Sequence, residues 1–206
     1  MRIEIDPERP RPRAVQQVVR ALEAGGVVVY PTDTCYGLGA DIFNKKAIER
    51  IYRLKGVPKT EPFSFVCADL REISRYARVT DLAYRILRRM LPGPYTFVLE
   101  GSRQVPKMML TKRRTVGIRV PDHPICQAIA AALGRPLIST SATLAGSPIF
   151  EDPREAAEAY GKNVDIVVDS GLILPEPSSV VSLIGDEPEV LRAGKGDVSL
   201  FEAAGA

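Results

Sequence analysis

Two groups of small polar residues stand directly after short apolar runs of the chain. Residues 32–34 (Thr-Asp-Thr) follow the Val-Val-Val-Tyr run at 27–30, and residues 139–141 (Ser-Thr-Ser) follow Leu-Ile at 137–138. Hydroxyl and carboxylate groups in such clusters can bind a polar ligand through hydrogen bonds. A turn capped by threonine explains the first group alone more simply. Two groups of the same design, however, predict the two walls of one pocket.

The run at residues 27–30 is the element that would position the first group. It is too short for a helix, and its β-branched residues favour a buried strand. Pro31 cannot donate a hydrogen bond to a sheet ladder, so the strand is predicted to end there. Ligands bind just outside such strand ends in open α/β sheets. Gly37 and Gly39 then follow, and glycine permits a positive φ or the close approach of a ligand to the backbone.

Helix and strand patterns alternate along the whole chain. Helical periodicity, together with capping residues, predicts helices at residues 13–24, 45–55, 69–76, 81–91, 124–133 and 152–160. Short apolar runs predict strands at residues 2–5, 27–30, 63–67, 95–99, 116–120, 137–139, 166–168, 180–184 and 190–192. The alternation predicts one α/β domain with a largely buried mixed sheet, over residues 3–198, followed by a frayed tail at 199–206.

The composition excludes several classes of protein. The chain has 206 residues, of which 45% are hydrophobic, enough for the core of one domain. No apolar run approaches the roughly 18 residues of a membrane span, and the amino terminus lacks the apolar region of a signal peptide. We therefore expect a cytoplasmic protein with no membrane partner. Cys35, Cys67 and Cys126 lack metal-ligand spacing and are expected to be reduced structural thiols. Because His123 is the only histidine, no metal site is expected.

The positive charges of the chain are clustered. The net charge of +3 is too mild to indicate nucleic-acid binding by itself. Four groups of cations nevertheless permit a basic face for a partner that carries phosphates, although each alone could be an ordinary solvated surface. The groups are Arg9, Arg11 and Arg13; Arg71, Arg75 and Arg78; Arg85, Arg88 and Arg89; and Lys112, Arg113 and Arg114.

Seven short motifs, in a fixed order, carry a resemblance to a known family. They are residues 30–39 (YPTDTCYGLG), 54–56 (LKG), 91–96 (LPGPYT), 116–121 (VGIRVP), 139–142 (STSA), 177–181 (PSSVV) and 191–194 (LRAG). With them the chain resembles the YrdC/Sua5/YciO family, and most closely its YciO branch. The resemblance implies a twisted open mixed sheet with helices on both sides and a concave, basic surface. It also implies a role in translation or tRNA metabolism.

Active members of that family are threonylcarbamoyl-AMP synthases, which are nucleotidyltransferases. They convert L-threonine, bicarbonate and ATP with Mg²⁺ into threonylcarbamoyl-adenylate and pyrophosphate, and the adenylate serves tRNA modification to threonylcarbamoyladenosine. Such chemistry needs cations that neutralise the triphosphate as pyrophosphate leaves. The resemblance therefore implies ATP and a small amino acid as ligands, and it permits double-stranded RNA or tRNA as a partner.

Site residues follow from the resemblance, position by position. Lys55 matches a lysine that contacts phosphate and is the candidate catalytic residue. The candidates for binding the amino acid are Thr34, Arg119, Ser139, and either Ser178 or Ser179; those for binding the nucleotide are Lys55, Thr115, Ser141 and Arg192. The guanidinium of Arg119 suits a bidentate contact with a carboxylate. No bound metal is implied.

The chain departs from the family pattern at four positions. Val57 stands where the family has arginine, Glu61 and Thr143 where it has asparagine, and Val66 where it has histidine. These changes would remove a cation, two amides and an imidazole from the expected pocket. Two functions stay open at this point: an adenylate-forming enzyme, weak or altered in substrate, and a module that holds RNA or a nucleotide without adenylation. A serine hydrolase that uses Ser141 and His123 is disfavoured, because the chain has no G-x-S-x-G elbow.

Overall fold

The computed structural model describes residues 1–202. Seven helices lie in this part of the chain: α1 (Pro12–Glu23), α2 (Lys45–Lys55), α3 (Leu70–Tyr76), α4 (Asp81–Met90), α5 (Pro124–Leu133), α6 (Pro153–Tyr160) and α7 (Ser199–Glu202). Eleven strands lie there too: β1 (Arg2–Glu4), β2 (Val28–Pro31), β3 (Tyr36–Asp41), β4 (Ser64–Val66), β5 (Ala77–Arg78), β6 (Tyr95–Gly101), β7 (Thr115–Arg119), β8 (Leu137–Ser141), β9 (Ile166–Asp169), β10 (Ser179–Ser182) and β11 (Glu189–Arg192).

The strands form one mixed sheet. Their order across the sheet is β1-β9-β2-β3-β8-β4-β7-β6-β10-β11, and β5 pairs with β6 outside this path. The pairs β1–β9, β2–β9, β4–β7 and β6–β10 are parallel, and the others are antiparallel. The predicted α/β fold with a mixed sheet and helices on both sides is confirmed.

Two buried clusters lie on opposite faces of the sheet. Val29 belongs to one cluster, which we call the first core and which includes side chains of α2, α3, α4 and α6. Val28 and Tyr30 belong to the other, the second core, which includes side chains of α1 and α5. Successive side chains of a strand point to opposite faces, so the assignment of β2 residues alternates between the two cores.

Both ends of α2 are fixed by local chemistry, and this fixes the position of Lys55. Asn44 Oδ1 accepts a hydrogen bond from the backbone N–H of Ala47 at 3.0 Å, which caps the amino terminus. Gly56 ends the helix with a φ of 63°, in the left-handed region that glycine adopts without strain. Lys55 is therefore the last helical residue, and its side chain leaves the helix at the point where the chain turns away.

The segment after Pro31 differs from its prediction. Residues 36–41 form β3, which pairs with β2 on one side and β8 on the other. Gly37 and Gly39 have no positive φ. A Cβ at Gly39 would lie 2.7 Å from the Tyr30 ring, and one at Gly37 would lie 3.0 Å from it. The expectation of a positive φ is therefore wrong, since these glycines make room for a buried tyrosine, and Gly37 in addition lines a cleft on the sheet.

The carboxyl-terminal residues differ from the predicted tail. Ser199–Glu202 form a helical turn, α7, and Phe201 is buried in the first core. Its ring lies 6.5 Å from that of Tyr95 and 6.4 Å from that of Phe97. This aromatic packing anchors α7 to β6. The remainder of the predicted tail, 203–206, lies outside the described residues. Among the helices of residues 1–202, none is long and apolar enough to cross a membrane.

Candidate functional site

A cleft lies on the face of the sheet that carries the second core. It occupies the part of that face that α1 and α5 do not cover. On β4, Val66 lies in the second core while Ser64 lines the cleft, and Phe65 between them lies in the first core. On β8, Leu137 lies in the second core and Ser139 in the cleft. The same sheet face therefore changes from apolar to hydroxyl-bearing side chains where the helical cover ends.

The cleft, of about 700 Å³, brings together nearly all the predicted site residues. Its lining includes Thr34, Lys55, Thr115, Arg119, Ser139, Ser141, Ser178 and Arg192. These residues come from both ends of the sequence and meet because β3, β8, β4, β7, β6 and β10 are neighbours in the sheet. Both hydroxyl-rich groups, at residues 32–34 and 139–141, contribute to the lining, as two walls of one pocket should.

Arg119 is a buried cation that lines the cleft. The residue is only 7% exposed, and its Nη2 donates to Thr34 Oγ1 at 2.8 Å and to Asp33 Oδ1 at 3.1 Å. The other oxygen of Asp33 accepts the backbone N–H of Asp122 at 3.1 Å. Arg119 Nε is buried without a partner. Burying a charged group of this kind is costly, and the hydrogen bonds of Nη2 offset part of that cost.

Lys55 reaches the cleft from the end of α2. Its Nζ donates to the backbone carbonyl of Ser141 at 2.8 Å, with Ser141 Oγ at 3.4 Å. Burial lowers the pKa of Lys55, because desolvation disfavours the ammonium ion. Burial likewise raises the pKa of the neighbouring thiol of Cys35, which also lines the cleft. Cys35 is therefore a neutral wall residue, and Lys55 is the cation on this side.

The two candidate serines of residues 178–179 have different positions. Ser178 lines the cleft, and its carbonyl accepts from Arg192 Nε at 3.1 Å and from Nη2 at 2.7 Å. Ser179 is fully buried instead; its Oγ donates to the carbonyl of Gly196 at 2.5 Å and accepts the N–H of Gly194 at 2.9 Å. The assignment of Ser179 to the substrate site is therefore wrong, and Ser179 fixes the loop that follows Arg192.

The four positions that depart from the family pattern fall into two pairs, one in the cleft lining and one outside it. Val57 and Glu61 line the cleft beside Lys55. Val66 is buried in the second core and Thr143 Oγ1 donates to the carbonyl of Ser147 at 2.6 Å, and neither residue lines the cleft. The loss of an imidazole and an amide at these two positions therefore stays a prediction. Val57 and Glu61 are the changes that alter the charge of the cleft.

Several cleft residues were not anticipated from the sequence. Ser64, Thr96 and Thr111 line the cleft, and Thr96 Oγ1 lies 2.8 Å from Ser178 Oγ. Thr111 Oγ1 lies 2.7 Å from Thr115 Oγ1. Ser64 on β4 and Thr96 on β6 each precede a phenylalanine that is buried in the first core, so both hydroxyls lie on the opposite face of the sheet. This signal becomes informative only once the uncovered part of that face is known. His123 precedes α5 as its N-cap and is absent from the cleft lining.

The charges around the cleft are mostly positive. Its lining carries the cations Lys55, Arg119 and Arg192 and the single acid Glu61. Of the four sequence clusters of cations, the exposed group at residues 112–114 joins Thr111 to Thr115, both of which line the cleft. This exposed group is therefore next to the cleft along the chain.

Comparisons with known proteins agree with the resemblance stated above. A family model named for Sua5, YciO and YrdC, and described as "Telomere recombination", matches residues 20–194. The chain is 43% identical over 199 residues to "Uncharacterized protein YciO" of Escherichia coli (strain K12), a match that covers 96% of this chain and 97% of that protein. The crystal structure of E. coli YciO superposes with a TM-score of 0.92 and covers 98% of each chain.

Two further proteins carry a functional name or a ligand. The chain is 36% identical over 157 residues to the threonylcarbamoyl-AMP synthase of Vibrio vulnificus (strain YJ016), which covers 75% of this chain and 84% of that enzyme. The crystal structure of P. abyssi Sua5 complexed with L-threonine superposes with a TM-score of 0.91 at 28% identity. That match covers 98% of this chain and 60% of the Sua5 chain.

Proposed function

This chain belongs to the Sua5/YciO/YrdC family, and from that premise we propose that it forms threonylcarbamoyl-adenylate from L-threonine, bicarbonate and ATP. One observation carries the proposal: a single cleft gathers eight of the predicted site residues, among them a buried arginine and a half-buried lysine. Relatives with the name threonylcarbamoyl-AMP synthase and a Sua5 structure that contains L-threonine support this assignment.

The proposed reaction has two bond-forming steps. The amine of L-threonine attacks the carbon of bicarbonate, and loss of water leaves a carbamate. A carbamate oxygen then attacks the α-phosphorus of ATP, and the bond from that phosphorus to the bridging oxygen breaks as pyrophosphate leaves. Negative charge grows on the leaving pyrophosphate, so a fixed cation beside it lowers the barrier.

Two groups of cleft residues suit the two substrates. Arg119 and Thr34 would hold the carboxylate of L-threonine, with the guanidinium held in place by Asp33 and Thr34. Lys55 would neutralise the phosphates, with Thr115, Ser141 and Arg192 placing the nucleotide. Mg²⁺ would arrive with ATP as part of the substrate. No side chain needs to act as a nucleophile, because the carbamate is itself the attacking group.

The proposed function is tested by measuring pyrophosphate release and adenylate formation with L-threonine, bicarbonate and Mg-ATP. We expect release that requires all three substrates. Lys55→Ala should weaken Mg-ATP binding by about tenfold in calorimetry, because one phosphate contact by a cation is lost. Lys45→Ala, a change of an exposed lysine at the other end of α2, is the matched control and should bind as the parent does.

Binding of Mg-ATP should also weaken as pH rises through the lowered pKa of Lys55, because the neutral amine no longer attracts phosphate.

Absence of any Mg-ATP binding at millimolar concentration would exclude the adenylate-forming reaction. Binding without release of pyrophosphate would instead favour the second candidate function, a nucleotide- or RNA-holding protein that performs no adenylation. Val57 is the observation that favours this second candidate, because it lines the cleft close to Lys55 where the family has arginine. The cation that would stabilise the leaving pyrophosphate is then missing, while Lys55 remains to bind phosphate.

For RNA, the exposed cations of residues 112–114 are the proposed contact. Binding to double-stranded RNA should fall steeply as salt rises, because phosphate contacts release counterions. Replacing Lys112, Arg113 and Arg114 by glutamine should flatten that salt dependence, whereas the same change at Arg85, Arg88 and Arg89 on α4 should not. A gel-shift series from low to physiological salt measures both. Binding that ignores salt, or no binding at low salt, would remove RNA from the proposal.

A further inference from the structure

One hydrogen bond connects the second core to the floor of the cleft. The hydroxyl of Tyr30 donates to Ser139 Oγ at 2.7 Å. Tyr30 is completely buried, in the second core beside α1 and α5, whereas Ser139 lines the cleft and is 4% exposed. This contact thus lies at the border where the helical cover of the sheet ends.

The tyrosine reaches Ser139 across an intervening strand. Tyr30 lies on β2 and Ser139 on β8, with β3 between them. Two strand spacings separate the backbones, roughly 10 Å. Gly37 is the β3 partner of Tyr30 and Gly39 is the β3 partner of Ser139, and a Cβ at either position would press on the ring. The two glycines of the first motif therefore clear the path for this one side chain.

The direction of the hydrogen bond determines what Ser139 can do. A serine hydroxyl has one proton to donate and can accept on its oxygen. In residues 1–202, Ser139 Oγ accepts from Tyr30 and makes no other hydrogen bond. Burial keeps the pKa of Tyr30 far above its ordinary value, so the phenol stays protonated and remains the donor at all working pH values. The proton of Ser139 is therefore left for a ligand.

We infer that Tyr30 is a positioning residue, which orients the Ser139 hydroxyl so that it donates into the cleft to an oxygen of the bound amino acid or its carbamate. The inference rests on the proposed function for the identity of that ligand. It explains why a tyrosine in the covered half of the sheet and two glycines on the next strand matter to the cleft. None of these three side-chain positions needs to touch the substrate.

A double-mutant cycle tests the inference, with steady-state KM and kcat for L-threonine and calorimetry with L-threonine as the measurements. Tyr30→Phe keeps the ring, and with it the packing against Gly37 and Gly39. We expect Tyr30→Phe and Ser139→Ala each to raise KM for L-threonine about tenfold, with kcat changed less than about twofold. The double variant should be no worse than Ser139→Ala alone, because Tyr30 acts only through that hydroxyl.

Tyr160→Phe is the matched control. It removes the hydroxyl of another buried tyrosine, one that has no hydrogen-bond partner in the described chain and does not line the cleft. Its KM should equal that of the parent. Parent-like KM in Tyr30→Phe, or additive losses of about 100-fold in the double variant, would overturn the inference while leaving the proposed function intact. A parent protein that neither binds nor consumes L-threonine would overturn both.

Discussion

Replacing Arg119 by alanine is expected to lower kcat/KM for L-threonine by about 100-fold or more. Truncating one member of a buried, hydrogen-bonded charge pair costs roughly 2–5 kcal/mol, and a loss of about 3 kcal/mol corresponds to that factor. Arg119 is 7% exposed, and its guanidinium donates to Thr34 Oγ1 in the cleft. Without it, the substrate carboxylate would have to be desolvated beside Asp33, a like charge.

The loss should appear chiefly in KM rather than in kcat. The carboxylate of L-threonine keeps its charge throughout the reaction, so Arg119 binds the ground state and the transition state alike. Arg119→Lys should recover only part of the affinity, because a lysine ammonium cannot reproduce the fork of guanidinium donors. Steady-state kinetics with varied L-threonine, at saturating Mg-ATP and bicarbonate, separates the two parameters.

A loss of fold must be distinguished from a loss of binding, because Arg119→Ala also leaves the Asp33 carboxylate without its cation. Arg135 provides the matched control: it pairs with the buried carboxylate of Asp41 at 2.7 Å and does not line the cleft. Denaturant unfolding should show that both alanine variants lose stability. Affinity for L-threonine should fall only in Arg119→Ala. Equal affinity in the two variants would contradict the role proposed for Arg119.

Local signals in the sequence were sufficient where capping and periodicity decide the structure. Helix α2 was predicted with its observed bounds, Lys45–Lys55, because Asn44 and Gly56 provide explicit start and stop signals. The cleft residues were predicted from ordered motifs, and eight of nine lie together. The strand end at Pro31 followed from the missing N–H of proline.

The features that were predicted wrongly have one thing in common. Each depends on contacts with residues that are distant in the sequence. Strand β3 contains two glycines, which weaken strand propensity, and it exists because β2 and β8 pair with it on both sides. Ser178 and Ser179 are adjacent and chemically identical, so only the orientation of the chain at the start of β10 separates them. Val66 shares the face of Ser64 but lies in the second core with α5, 58 or more residues later in the chain.

The double substitution Val57→Arg with Glu61→Asn is also expected to have a large effect on the reaction. It should raise the rate of adenylate formation by about 10- to 100-fold over the parent. The charged side chains that line the cleft now sum to +2, from three cations and Glu61, and the double substitution would raise this sum to +4. At an effective dielectric constant of about 20, a cation some 6 Å from a phosphate charge contributes on the order of 3 kcal/mol before desolvation is subtracted.

The gain should lie in kcat as well as in the affinity for Mg-ATP. Charge accumulates on the pyrophosphate as it leaves, so a cation beside it stabilises the transition state more than the bound substrate. Glu61→Asn alone should give the smaller part of this gain in rate, because Glu61 is exposed and solvent screens its repulsion of the phosphates. Val57→Met adds length without charge and controls for repacking, since Val57 packs against the first core. Glu158→Gln makes the same charge change as Glu61→Asn on the exposed surface of α6 and should have no effect.

Pyrophosphate release and Mg-ATP affinity, measured for the parent, both single variants and the double variant, decide between the two functions. A rate that rises with Val57→Arg but not with Val57→Met means that the scaffold is a synthase whose phosphate site is short of positive charge. If all variants stay at background while Mg-ATP binding tightens, the added cation contacts the phosphates without promoting the reaction. The carbamate is then never delivered to the α-phosphorus, the adenylate-forming reaction must be abandoned, and nucleotide holding is the function that the cleft performs.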